Sequence, residues 1–218
     1  MHWQQGGLDD APLISKFEGV RVFLAGATGV IGVRLVPLLC EQGHVVAGMT
    51  RSPEKTSILS SLGAEPVVCD VFDATALEDA VTRFAPDAVM HQLTDLPDRA
   101  EDLAQAAVRN DRMRSEGTRN LIAAARAAGA TRFLAQSIAW RPPGRGDVVE
   151  QHEQQVRAAG VVIRYGQLYG PGTYYETELP QHPRIHVDEA ARATLPLLDL
   201  RSGVITITDP SSRVNGFA

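Results

Sequence analysis

The chain has 218 residues, 44% of them hydrophobic and 22% charged, which is enough to bury the core of one domain. Its net charge of −5, from 26 acidic against 21 basic residues, argues against binding nucleic acid or an anionic membrane through bulk charge. No apolar run reaches the roughly 18 residues of a membrane helix, and the N-terminus lacks a basic stretch followed by an apolar one, so the expected location is the cytoplasm.

In chain order, short β-branched runs alternate with longer alanine- and leucine-rich stretches, the pattern of a doubly wound parallel α/β sheet. Strands are expected at 20–25, 45–49, 66–69, 88–91, 132–135, 161–164 and 204–207, most of them too apolar to have a wet face. Between them, helices are expected at 30–42, 53–62, 75–84, 100–128, 147–159 and 187–198, three of which end at Gly43, Gly129 and Gly160. Pro37 should kink the first helix. Only 141–146 and 170–183 read as long irregular regions. Cys40 and Cys69 sit apart in apolar stretches and read as reduced core thiols, and no metal site is expected.

The segment VRVFLAGATGVIG puts Gly26, Gly29 and Gly32 between an apolar strand and a helix. Gly26 would allow the tight turn, Gly29 the approach of a pyrophosphate to backbone N–H groups, and Gly32 close packing of helix on strand. The second strand is followed by Thr50, Arg51 and Ser52 rather than by an acid. A guanidinium and hydroxyls suit a 2′-phosphate and leave nothing for a ribose diol, so NADP is read ahead of NAD. Arg34 is either a second phosphate contact or part of a solvated helix face. Asp70, after the third strand, either accepts from the adenine amine or caps its own turn.

Taken with VMHQL, RSEGTRNLIAAARAAGATRFLAQS, RYGQLYGPG and IHVDEAA, the glycine turn and Asp70-Val71 occur in the order of the extended and atypical short-chain dehydrogenase/reductases, the NAD(P)-dependent epimerase/dehydratase superfamily, which the chain resembles over 20–208. The resemblance implies one domain over 1–218, made of a Rossmann core at 20–165 and a reduced C-terminal substrate region at 166–218 interleaved with the sheet. It implies cofactor contacts at Gly26, Thr28, Gly29, Val30, Ile31, Gly32, Arg51, Ser52, Asp70, Val71, Gln92 and Leu93, with Ser137, Gly166 and Leu168 near the nicotinamide. The connections at 141–150 and 173–184 are shorter than that family's usual loops: either this is a reduced member or loop segments are missing from the sequence.

One family feature is missing. Redox members carry Tyr-x-x-x-Lys, in which lysine lowers the pKa of the phenol. Here the lysines are Lys16 and Lys55, the tyrosines are Tyr165, Tyr169, Tyr174 and Tyr175, and alignment on Glu153 puts Arg145 and Val149 where the pair would stand. Ser137, Tyr165 and His152 are the candidate catalytic groups, with Ser137 able to donate to a carbonyl but insufficient as an acid or base. His91 reads as a core residue. His182 and His186 flank Pro183 and do not form a helical metal pair, and Asp188 and Glu189 should open the last helix. The apolar stripe Leu103, Ala107, Leu121, Ile122 and Ala125 either packs on the sheet or pairs two copies as a homodimer. The expected activity is reduction or epimerisation/dehydration of a small organic substrate by hydride transfer, and the alternative is a catalytically silent NADP(H)-binding sensor or partner-binding module.

Overall fold

The computed structural model describes residues 19–97, 99–142 and 144–210. Strand β1 (Arg21–Ala25) leads through the glycine turn into α1 (Gly32–Glu41), and β2 (Val45–Thr50) through a 3₁₀ turn into α2 (Thr56–Ser61). There follow β3 (Glu65–Val68), α3 (Ala74–Phe84), β4 (Ala88–His91), α4 (Leu103–Arg112), α5 (Thr118–Ala127), β5 (Arg132–Ile138), α6 (Gly146–Arg157) and β6 (Val161–Tyr165). The last elements are β7 (Gln167–Tyr169), β8 (Arg184–His186), α7 (Val187–Thr194) and β9 (Gly203–Ile207).

Seven strands form one sheet in the order β3-β2-β1-β4-β5-β6-β9, and every pair is parallel. The connections reverse direction between β1 and β4, which is where open sheets of this kind bind ligands, outside the carboxyl ends of the strands. Alternation along β1 divides the core: Val22 and Leu24 face α1 and α7, whereas Phe23 and Ala25 face α3 and α5. All four are fully buried, and full burial of a side chain the size of Phe23 or Leu24 contributes roughly 1.5–3 kcal/mol. Asp73 caps α3 by accepting from the amide of Ala76, and Asp188 and Glu189 lie in the first turn of α7 as expected.

Three departures from the sequence reading have physical causes. The stretch 100–128 is not one helix. It opens with a 3₁₀ turn and widens at Met113–Gly117 into a π-type turn. Gly117 weakens the helix there, and Ser115 donates back to the carbonyl of Asp111. The stripe on this stretch divides as well: Leu121, Ile122 and Ala125 are buried in the core, whereas Leu103 is exposed. The helix expected at 187–198 passes into a 3₁₀ turn after Thr194, with Pro196 near its start. Finally, β7 and β8 pair in parallel as a separate small sheet, each only three residues long and so without a readable alternation. Pro37 lies inside α1. Cys69 is buried and Cys40 half-buried, both as free thiols. Among the described residues no helix is long and apolar enough to cross a membrane.

Candidate cofactor and active site

The glycine turn closes on itself through the amide of Gly29, which donates to the carbonyl of Gly26 at 3.0 Å. Gly26 has φ +88°, and a Cβ there would lie 2.8 Å from the backbone of Gln92. A Cβ on Gly32 would lie 2.2 Å from the carbonyl oxygen of Gly26. A side chain at either position would therefore fill the space between the turn, α1 and the end of β4. The amides of Val33, Arg34 and Leu35 donate to the carbonyls of Gly29 and Ile31, and the positive end of the α1 dipole points toward the turn. Thr28, Val30 and Ile31 belong to this turn, and the Thr28 hydroxyl lies 3.2 Å from that of Thr50 at the end of β2.

Thr50 also accepts from the amide of Ser52, turning the chain so that Arg51 projects outward with its side chain 65% exposed. Its guanidinium lies 3.5 Å from Asp95, and Arg109 of α4 approaches the other oxygen of Asp95 at 3.6 Å. Two cations thus share one carboxylate, leaving a surplus positive charge. Sequence reading missed Asp95 and Arg109, because they come from a loop and a helix more than forty residues beyond Arg51 and carry no local pattern. Asp70 is exposed and accepts from the amide of Phe72, which is the turn-capping arrangement; Val71 beside it is buried. Arg34 does not lie on a bare helix face. It donates to Asp188, to the carbonyl of Val30 and to that of Pro171, binding the irregular 170–183 segment to α1.

Past β4 the side chains are more enclosed. Gln92 donates to the phenol of Tyr165, which donates to Thr194 at 2.6 Å, Thr194 in turn donating to the carbonyl of Ala190. Burial drives the Tyr165 phenol up to about 12, so it is unsuited to proton transfer at neutral pH. Behind Gln92 lies a chain of neutral groups. The amide of Leu93 donates to His91 Nδ1, which leaves His91 Nε2 to donate to the Thr118 hydroxyl; Thr118 lies 2.9 Å from His152 Nδ1, which also faces the carbonyl of Arg114, and His152 Nε2 lies 2.9 Å from the carbonyl of Gln136. Burial holds His91 at about 3 and lowers His152. His152 is 1% exposed, so it stands in the core rather than at a reacting centre.

Ser137, near the end of β5, is 1% exposed and donates to Glu153 at 2.8 Å. Glu153 is 2% exposed and also accepts from Arg157 and Arg164, and these donors hold its pKa down against the opposing effect of burial. Its spacing to Arg157 is that of an ordinary surface pair on a helix, which is why the sequence gives no sign of its burial. Glu153, Arg157 and Arg164, though not Ser137, line a cavity of about 260 Å³ reaching Trp140 and Arg141. Gly166 and Leu168 follow β6; a Cβ on Gly166 would lie 2.7 Å from the backbone of Arg184, so the β7 turn presses on β8. His182 lies in the loop and His186 at the end of β8, on no common helix.

The sequence pattern of a family described as NAD(P)H-binding matches residues 26–158. The chain is 34% identical over 235 residues to a protein named 3-diazoavenalumate denitrifying reductase from a Streptomyces species, with 87% of this chain and 76% of the relative covered. That alignment is longer than this chain, so the relative carries residues opposite gaps here. A 3-beta-hydroxysteroid dehydrogenase of Mycolicibacterium neoaurum is 33% identical over 153 residues, 68% of this chain but only 39% of the relative. An uncharacterized Mycobacterium bovis protein is 31% identical over 151 residues, and the chain spans only 15% of its length. Among solved structures, the UDP-glucose 4-epimerase of Thermus thermophilus in complex with NAD superposes with a TM-score of 0.70 at 18% identity, covering 86% of this chain and 77% of that one. The UDP-Glc/GlcNAc 4-epimerase of Campylobacter jejuni gives 0.71 at 15% identity, covering 87% and 78%, so with both enzymes the likeness is one of fold. A parallel sheet with a glycine turn at its point of reversal and a matched pattern over residues 26–158 place the chain in the NAD(P)H-binding family.

Proposed function

We propose that the protein is an NADP(H)-preferring reductase that delivers hydride to a small organic electrophile without an acid–base pair of its own. The observation that carries the cofactor half is the glycine turn, which closes so tightly that a Cβ on Gly26 or Gly32 would strike backbone atoms of Gln92 or of the turn itself. Gly26, Thr28, Gly29, Val30, Ile31 and Gly32 would hold the pyrophosphate at the start of α1. The surplus charge of Arg51 and Arg109 over Asp95, with Ser52 beside them, favours a 2′-phosphate over a bare ribose. Val71, Gln92 and Leu93 would border the adenine and nicotinamide ribose, and Gly166 and Leu168 the nicotinamide.

When bound, the cofactor supplies a hydride. The donors expected from the sequence are not free to give a proton: no Tyr-x-x-x-Lys occurs in the sequence, the Ser137 hydroxyl is committed to Glu153, and the Tyr165 phenol is buried. Such a site suits an electrophile whose reduction needs no proton. The name of the Streptomyces relative describes denitrifying reduction of a diazo compound. In net terms, hydride transfer to an arenediazonium forms a C–H bond, breaks the C–N bond and releases dinitrogen, with no proton taken up. We assign substrates of this electrophilic class to the protein.

The test follows NADPH consumption with an arenediazonium and with a ketone on the same ring, each corrected for the rate without protein. Consumption matched by dinitrogen release with the first, and none with the second, is the expected result. Equal turnover of the ketone would contradict a site without an acid. NADPH binding with no turnover of either would favour the silent module, to which the closed Ser137–Glu153 contact also lends support.

A further inference from the structure

The π-type turn between α4 and α5 carries a group that neither the fold nor the proposed hydride transfer uses. Arg114 is only 8% exposed, yet it makes no ion pair with a described residue. The carboxylates whose charge reaches it are taken: Asp111 pairs with Arg145, and Glu153 with Arg157 and Arg164. The fully enclosed side-chain polar atoms without a partner, among the described residues, are Nε of Arg132 and of Arg184. The guanidinium of Arg114 is not among them, so its tip reaches accessible space while its stem is buried.

Its place in the fold is the ligand edge. Since β4 and β5 are parallel, the helices between them run back along the sheet. At about 1.5 Å per residue, α4, the turn and α5 together exceed the length of any strand here, which rises about 3.3 Å per residue, so α4 overhangs the carboxyl edge. The level is fixed by Thr118, one turn beyond Arg114, which is bonded to His91, the last residue of β4. The Arg114 carbonyl lies 3.2 Å from His152 Nδ1 of α6, and Arg145 precedes the first turn of that helix.

A desolvated guanidinium without a partner is costly, and an anion beside it removes the cost. Its planar fork of donors matches a carboxylate in two-point contact. We propose that Arg114, with Arg145 near it, anchors a carboxylate of the organic substrate, so that the protein acts on an organic acid. This rests on the hydride-transfer reading above. A cofactor phosphate is an anion too, but the charges that reach Arg114 all come from α4 and α6, and none from the glycine turn or the end of β2.

The experiment titrates the NADPH-loaded protein with benzoate and with benzamide, its neutral counterpart, for wild type, Arg114→Gln and Arg114→Lys, and measures NADPH affinity separately for each. Benzoate should bind where benzamide does not, Arg114→Gln should weaken benzoate about tenfold or more, and Arg114→Lys should recover part of the loss. NADPH affinity should stay within about twofold throughout; if the wild type fails to bind NADPH, it is the earlier reading that fails. Benzoate binding no tighter than benzamide, or unaffected by Arg114→Gln, overturns the proposal. So does a parallel loss of NADPH affinity, which would give the guanidinium to the cofactor. Arg114→Met should melt no lower than wild type, because it removes an unpaired cation; a clearly lower melting temperature would mark Arg114 as structural and also overturn the proposal.

Discussion

At the end of β1 the chain turns on glycines that admit close backbone approach, whereas at the end of β5 the side chains have closed on one another. The Ser137 hydroxyl donates a hydrogen bond to Glu153, and Glu153 is held by two arginines. The first arrangement is pre-organised for a ligand and needs no side-chain movement to receive one. The second is internally satisfied, so it positions its neighbours more readily than it performs proton transfer. The end of β1 is thus shaped by backbone, while the end of β5 is built into the framework.

Four substitutions sharpen or break this contrast. Gly32→Val should have the largest effect, because its first side-chain atom would fall 2.2 Å from the Gly26 carbonyl. A stability loss of about 3 kcal/mol or more in denaturant titration, with loss of nicotinamide binding, is expected. Retained binding would mean that the turn is not the cradle. Glu153→Gln should come next, weakening charge-assisted bonds worth about 2 kcal/mol in all while leaving NADPH affinity unchanged; a matching loss of affinity would erase the division between the two halves.

The third effect is one of pH. The folded protein holds His91 at about 3 against 6.5 for the free side chain, so the unfolded chain binds the extra proton between those values. That contribution is complete above pH 6.5 and declines as pH falls below it, by about 1.4 kcal/mol per pH unit. His152, shifted the same way, adds to the slope, whereas Glu153, shifted down from 4.5, adds loss only below that value. His91→Gln should therefore flatten the dependence of unfolding free energy between pH 6.5 and 5. An unchanged slope would show that His91 is not the buried neutral group. Arg34→Ala should have the smallest effect, about 1 kcal/mol, since its partner Asp188 is 41% exposed. Faster proteolysis within 170–183 would register the loss of its bonds to Pro171 and Asp188, and an unaltered cleavage rate would show that Arg34 does not hold that segment.

What the sequence disclosed follows the range of the interactions involved. The glycine turn is local, its spacing and flanking apolar strand lying within a dozen residues, and β4 runs over 88–91 as the sequence reading expects. Asp188 and Glu189 announce a helix start for the same reason. The widened turn at Met113–Gly117 was hidden because alanine-rich periodicity continues on both sides of it. Glu153, Asp95 and Arg109 were hidden more deeply, since their partners are brought together only by the sheet. Tyr165 and His152 illustrate the converse: each falls at a promising place in the chain, but their burial depends on Thr194, Gln92, Thr118 and Gln136.

The most direct test of the account is a parallel titration with NADPH and NADH of the wild-type protein and of Arg51→Ala, read by nicotinamide fluorescence. Wild type should bind NADPH about tenfold or more tightly than NADH, and Arg51→Ala should remove most of that preference by weakening NADPH alone. Equal affinity for the two cofactors, or an equal loss of both in the variant, would contradict the assignment of the β2 end to a 2′-phosphate.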